Sequence, residues 1–318
     1  MGEALHQVIR ETTDGRALRM VVLAIVMLGL VIPIAAGFRE TGRAAFGVMP
    51  VIGAAEFGLA PWRHFLDLPG VATSLRLSLV TGLGASLLSL VLAIGFCATV
   101  HDRMDRRSGG RMLAPFLAAP HAAMAIGLAF VLAPSGWVAR LLAPVLGLDQ
   151  PPGLAIVNDP WGIALIIGLT VKEMPFLLLV ILSALTQIPV RVHMAAGRAL
   201  GYGRGIVWIK LIMPQVWPLI RLPVLVVIAY SLSVVDMAII LGPSNPPTLA
   251  VLLTRLFSDP DIAMILPASA GGLVQAGMVM LGFAVLWGAE RLMRRIGFWW
   301  LREGGAVHRP SRDCGLPR

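Results

Sequence analysis

Six stretches of the chain, 18–38, 75–100, 113–133, 161–187, 218–242 and 264–289, are nearly unbroken Leu, Val, Ile and Ala with scattered Gly. Each reaches the roughly 20 residues of helix needed to cross a hydrocarbon layer about 30 Å thick. None alternates apolar with polar positions as a barrel strand does. The pattern predicts an all-α polytopic membrane protein with six transmembrane helices. The first stretch is longer than the roughly 7–15 apolar residues of a cleavable signal, so it is expected to stay as an anchor.

The intervening segments differ in kind. Segment 39–74 carries Pro50, Trp62, Phe65 and Pro69, and segment 134–160 carries Pro134, Trp137, Pro144, Pro151 and Pro152. Aromatic residues favour the headgroup zone, so short interfacial helices are expected in both. The tail 302–318 is polar and Arg-rich and is expected to be disordered. Three regions result: 1–70 (tail, first span and outer segment), 71–290 (a core of five spans) and 291–318 (a basic tail).

Composition supports this reading. Of 318 residues, 57% are hydrophobic and 14% charged, and the mean hydropathy is +0.83. Soluble domains carry roughly 25% charge, so a water-facing globule is excluded. The net charge of +9 is not spread evenly. Basic residues crowd into the N-terminal tail (Arg10, Arg16, Arg19), the loop at Arg103 to Arg111, the loop at Arg191 to Arg221 and the tail beyond Arg291. The alternate segments hold only Arg39, Arg43, Arg63, Arg76, Arg140 and Arg255. Positive residues stay in the cytoplasm, so both termini and the loop near 188–217 are expected to face the cytosol. The basic excess is topological, and no nucleic acid is needed to explain it. Cys97 and Cys314 form neither a disulfide framework nor a metal cluster.

The loop between the fourth and fifth spans has its own logic. It reads His193-Met194-Ala195-Ala196-Gly197-Arg198-Ala199-Leu200-Gly201-Tyr202-Gly203, then Arg204 to Leu211, Ile212, Met213 and Pro214. Met194 to Leu200 is a helix of small residues, too short to bury a core of its own. Gly201 and Gly203 permit a sharp turn at positive φ. A second amphipathic stretch (Ile206, Val207, Ile209, Leu211) runs until Pro214 is expected to interrupt it at the membrane surface. A helix–Gly–helix hairpin with small side chains outward suits close docking into another protein's groove.

This segment resembles the EAA loop of inner-membrane permeases of ABC importers, the MetI-like permease fold. The family pattern is Glu-Ala-Ala, three residues, Gly, nine residues, Ile, one residue, Leu-Pro. Counted from Gly201, Ala195, Ala196 and Gly197 fill the first three places, Leu211 the Ile, Met213 the Leu and Pro214 the Pro. The glutamate of the pattern is Ala195 here. The resemblance extends over about 71–290, through Ser74 to Leu79, Ala85 to Leu90 and the outward turn Leu241-Gly242-Pro243-Ser244 with Pro247-Thr248-Leu249. Val171-Lys172-Glu173-Met174-Pro175-Phe176 and the run 242–249 look most similar to the thiamine-type branch, near the iron(III), sulfate and polyamine permeases.

The resemblance implies a coupling-helix hairpin at 190–214, with Ala195, Ala196, Gly197, Arg198, Leu200, Gly201, Gly203, Leu211, Met213 and Pro214 contacting a separate ATPase. It implies two ATPase copies, a second permease copy or a homologous permease, and an extracytoplasmic solute-binding protein. The location implied is the bacterial inner membrane. The chain has no G-x-x-x-x-G-K-[ST] phosphate loop, so ATP and Mg would sit on the partner, with no cofactor of this chain's own.

Lys172 and Glu173 lie inside the fourth window and Asp236 inside the fifth. A charge in mid-membrane costs roughly 2.5–3.5 kcal/mol on insertion scales and faces protein or water. Neighbours at i and i+1 point about 100° apart, so Lys172 is expected to pair with Asp236 across two helices. The group, with Pro175 as a kink, is a candidate translocation path or gate; the other reading is a structural ion pair or a water-lined groove. His121 has no companion at metal-ligand spacing. A stand-alone secondary transporter is the alternative function, although it would want repeated broken helices or several intramembrane acids. A membrane enzyme built on His121 with Ser86 or Ser89 lacks any positioning motif.

Overall fold

A computed structural model describes residues 15–100, 106–147, 150, 153 and 156–302, the side chains of 106–110 and 297–302 excepted. Expectations for Arg10, Arg103, Pro151, Pro152, Cys314 and the tail beyond 302 lie outside the described residues. Among those described, the structure is helical, with one isolated bridge between Met49 and Ala54. Six segments are long and apolar enough to cross a membrane. The chain is a multi-pass membrane protein.

The helices are α1 (Gly15–Ala45), α2 (Ala60–Asp67), α3 (Val71–Val100), α4 (Arg106–Ala118), α5 (His121–Leu132), α6 (Trp137–Leu146), α7 (Ile163–Leu185), α8 (Val190–Ala199), α9 (Arg204–Ser233), α10 (Asp236–Leu241), α11 (Leu249–Phe257) and α12 (Ile265–Arg302). Short helices α2 and α6 fall in the two segments expected to hold interfacial helices. The backbone gathers into two units, Met1–Val71 with Leu253–Val274, and Ala72–Leu252 with Gln275–Arg318.

In the first unit, Phe46 stacks on Phe57 at 5.3 Å between ring centroids and meets Trp62 at 5.8 Å. Phe65 is fully buried, and a Cβ on Gly271 would stand 2.5 Å from its ring. Helix α1 is exposed along its apolar window.

The second unit contains the layer that matters here. Its core is Ala85, Ala125, Ala164, Leu165, Leu169, Met237, Ala238 and Leu241, drawn from α3, α5, α7 and α10. In lipid there is no hydrophobic drive between helices, so small residues and close backbone approach hold them. At Gly168 a Cβ would collide with Leu241 of α10. Trp217 Nε1 donates to Glu290 Oε1 at 2.8 Å, tying α9 to α12.

Two apolar windows are not single helices. The third is broken at Ala119 and Pro120, between α4 and α5, where Pro120 is extended (φ −59, ψ 143). Proline lacks an N–H and biases its predecessor away from helical geometry. The fifth is broken at Val234 and Val235, between α9 and α10, where Val234 is extended (φ −64, ψ 135). Asp236 therefore opens a short helix instead of lying inside a long one.

Pro214, conversely, does not interrupt its helix. The segment from Arg204 passes through a π-turn at Trp208–Ile212 and continues to Ser233. Helix α1 repeats the device, with a π-turn at Met27–Val31 just before Pro33. Widening the turn moves the carbonyl that the proline ring would strike and that its missing N–H would leave unpaired. The helix absorbs the proline.

Candidate functional site

The loop between the fourth and fifth spans folds into a closed hairpin. Helix α8 starts one turn earlier than the expected 194 and ends in a Schellman turn. Gly201 takes φ +78; its N–H donates to the Arg198 carbonyl at 2.9 Å, and the Tyr202 N–H donates to the Gly197 carbonyl at 3.0 Å. Those bonds satisfy carbonyls that a helix end leaves free, and the left-handed residue is one only glycine adopts cheaply. Gly203 has φ −68 and ψ 157. Its positive φ was expected and is not found, because one left-handed residue already reverses the chain.

Across the turn, Gly197 is covered by Val207; a Cβ on Gly197 would collide with the valine methyls. Val190, Met194 and Gly197 face inward. Ala195, Ala196, Arg198 and Leu200 face outward with Val192, which is 64% exposed; Leu200 is 71% exposed. Arg204 Nε donates to the Ala98 carbonyl at 2.7 Å near the end of α3, and Gln215 Nε2 lies 3.1 Å from His193 Nε2. Lys210 sits 5.2 Å over the Tyr202 ring. The hairpin is thus bolted to α3 and α9 on one side and bare on the other. Leu211 and Met213 are half-buried and Pro214 is exposed, all in the stretch of α9 that follows Val207.

Inside the spans the polar residues part company. Lys172 and Glu173 are both buried, at 7% exposure. The Lys172 ammonium donates to the carbonyls of Ala119 at 2.6 Å, Phe116 at 3.1 Å and Leu117 at 3.5 Å. The expected pair with Asp236 is not formed. Breaking the third window leaves carbonyls with no helical partner in a layer without water to take them, and their partial negative charge holds the lysine. Gln275 does the same at the second break, its Nε2 donating to the Leu232 carbonyl at 3.0 Å.

Asp236 is exposed in the first turn of α10, its Oδ1 accepting the Met237 N–H at 2.9 Å. Tyr230, near the end of α9, packs against His121 at 4.8 Å between ring centroids. Pro175 is buried within a continuous α7. Ser86 is spent on the Gly82 carbonyl at 2.7 Å, so it forms no hydroxyl–imidazole pair with His121. Among the described residues no group of three His, Cys, Asp or Glu could hold a metal.

Asp159 is a residue the sequence reading passed over. Its Oδ2 accepts the N–H groups of Ile163 at 2.8 Å and Trp161 at 3.2 Å, and its Oδ1 accepts that of Ala164 at 3.0 Å. It caps the start of α7. An Asp shortly before an apolar run was the available signal.

Comparison with known proteins agrees with this architecture. The chain is 33% identical over 209 residues to the inner membrane ABC transporter permease protein YnjC of Escherichia coli (strain K12). The match takes in 64% of this chain and 38% of that protein. In structure it is similar to a bacterial ABC transporter involved in import of the acidic polysaccharide alginate, with TM-score 0.64, 18% identity, and 92% and 99% of the two chains covered. The bacterial alginate ABC transporter in complex with alginate pentasaccharide-bound periplasmic protein gives TM-score 0.62 at 18% identity, covering 92% and 97%. The fold is theirs. No family model matches the chain. The chain spans under two fifths of the curated relative's length.

Proposed function

We propose that this chain is the permease subunit of an ATP-driven ABC importer of the bacterial inner membrane, coupled to a separate ATPase through residues 193–214. One observation carries the reading. The α8 hairpin is fixed on its inner side by Gly197, Arg204 and Gln215, yet presents an unpartnered apolar face of Val192, Ala195, Ala196, Ala199 and Leu200. A rigid lever with one bare face transmits movement from a partner to the spans. The likeness to an ABC permease and to chains of an alginate importer supports the same reading.

The permease would work beside a second permease copy or a homologous one, with a solute-binding protein at its outer face and ATP and Mg on the ATPase. Closure of the ATPase dimer would push α8, and through the Arg204 link to α3 and the continuous α9 would rock the core. Lys172 lies at the first helix break and Asp236 at the second, and with Glu173 and Pro175 they would line a path between open states. The cargo we propose is a small solute of the thiamine type, on the resemblance of segments 171–176 and 242–249. Glu173 and Asp236 would disfavour a polyanion such as alginate.

The test is Gly201→Val. The variant should insert in the membrane and bring down its ATPase, but substrate should no longer stimulate ATP hydrolysis. Normal stimulation in that variant would contradict the mechanism. Uptake that stops with a proton uncoupler while ATP remains plentiful would instead favour a stand-alone secondary transporter.

A further inference from the structure

The outer face of α8 has a charge pattern that specifies its partner. At about 100° per residue, Ala195, Ala199, Val192, Ala196 and Leu200 fan across an apolar sector of about 140°. Arg198 and Arg191 lie side by side along one edge of that sector, seven residues and therefore about 10 Å apart. Both are exposed, and among the described residues neither guanidinium has a hydrogen-bond or ion-pair partner. Between Glu173 and Asp236 the sequence contains no Asp or Glu at all. The hairpin therefore presents no carboxylate of its own.

Resting on the reading above, we infer that the ATPase groove receiving α8 has an apolar floor and two carboxylates about 10 Å apart on one wall, and that Ala195 keeps the two arginines free for them. Position 195 is four residues after Arg191 and three before Arg198. A glutamate there would fall within reach of both on the same helix face. It would neutralise the two arginines internally and set a third carboxylate against the acidic wall. Restoring the glutamate of the resembled pattern would thus weaken docking to this chain's own partner. Fork-shaped arginine–carboxylate pairs on an interface rim act chiefly on association and its salt dependence.

The experiment measures ATPase association and substrate-stimulated ATP hydrolysis of the reconstituted complex at 50 and 500 mM NaCl, in vesicles of pure phosphatidylcholine and of phosphatidylcholine with phosphatidylglycerol. The expected native affinity loss at high salt is roughly tenfold. Arg191→Gln with Arg198→Gln, and separately Ala195→Glu, should each show that loss already at low salt and little further change. Ala195→Gln, of the same size without charge, should keep the native salt dependence. Ala195→Glu associating as tightly as the native chain, or Ala195→Gln losing its salt dependence equally, would overturn the inference. A charge effect seen only with phosphatidylglycerol would also overturn it, because lipid headgroups would then hold the arginines. If the native chain brings down no ATPase, the permease reading itself falls; if it does and the variants do not differ, only the acidic wall falls.

Discussion

The ammonium of Lys172 lies 2.6 Å from the carbonyl oxygen of Ala119, at the point where the third apolar window stops being a helix. A lysine buried in a span and a helix broken by Pro120 are each costly in lipid. Together they offset one another. The broken end supplies oxygens, and α7 supplies the ammonium that meets them.

Lys172→Met should therefore destabilise the protein by about 2–4 kcal/mol, as expected when charge-assisted bonds are lost and buried carbonyls are left unpaired. Thermal unfolding in detergent measures it. A double-mutant cycle of Lys172→Met with Asp236→Asn should give a coupling below about 0.5 kcal/mol. A coupling of about 1 kcal/mol or more would restore the cross-helix ion pair.

Asp159→Ala should cost about 1–2 kcal/mol, the usual loss for a helix cap. It leaves the N–H groups of Trp161, Ile163 and Ala164 without their acceptor. Hydrogen exchange should rise in the first turn of α7 and stay unchanged in α9; protection retained at Ile163 and Ala164 would show another acceptor in place.

Gly201 and Gly203 should separate cleanly. Gly201→Ala forces a left-handed alanine at φ +78 and should cost about 1–2 kcal/mol. Gly203→Ala meets ordinary backbone angles and open space around its Cβ, so its effect on stability should stay within about 0.5 kcal/mol. Limited proteolysis at 199–204 compares them. Equal susceptibility would contradict the turn assigned here.

The spans and the hairpin were legible in the sequence because each follows from a local rule. The bilayer demands length and apolarity, and a reversed chain demands Gly201. The first break was hidden because Pro115, Pro120, Pro175 and Pro214 look alike in an apolar run, yet of these only Pro120 ends a helix; the second, at Val234 and Val235, has no proline to mark it. A π-turn rescues Pro214, and its wider hydrogen bonds leave no mark in residue type. The partner of Lys172 escaped for a similar reason. Matching charges by residue type looks for a carboxylate, whereas the group that answers this lysine is backbone. Gln275 answers the Leu232 carbonyl in the same way, and in sequence it is only a polar residue in a span.

The central claim is that the bare face of α8 meets a separate ATPase. The most direct measurement places a cysteine there by Ala196→Cys and cross-links it in native membranes containing the assembled transporter. The account predicts a cross-linked product with the ATPase whose yield changes with ATP, and none from a cysteine at Met194 on the buried face. Transport with the complex intact and no cross-link from Ala196 or Val192 to the ATPase would contradict it.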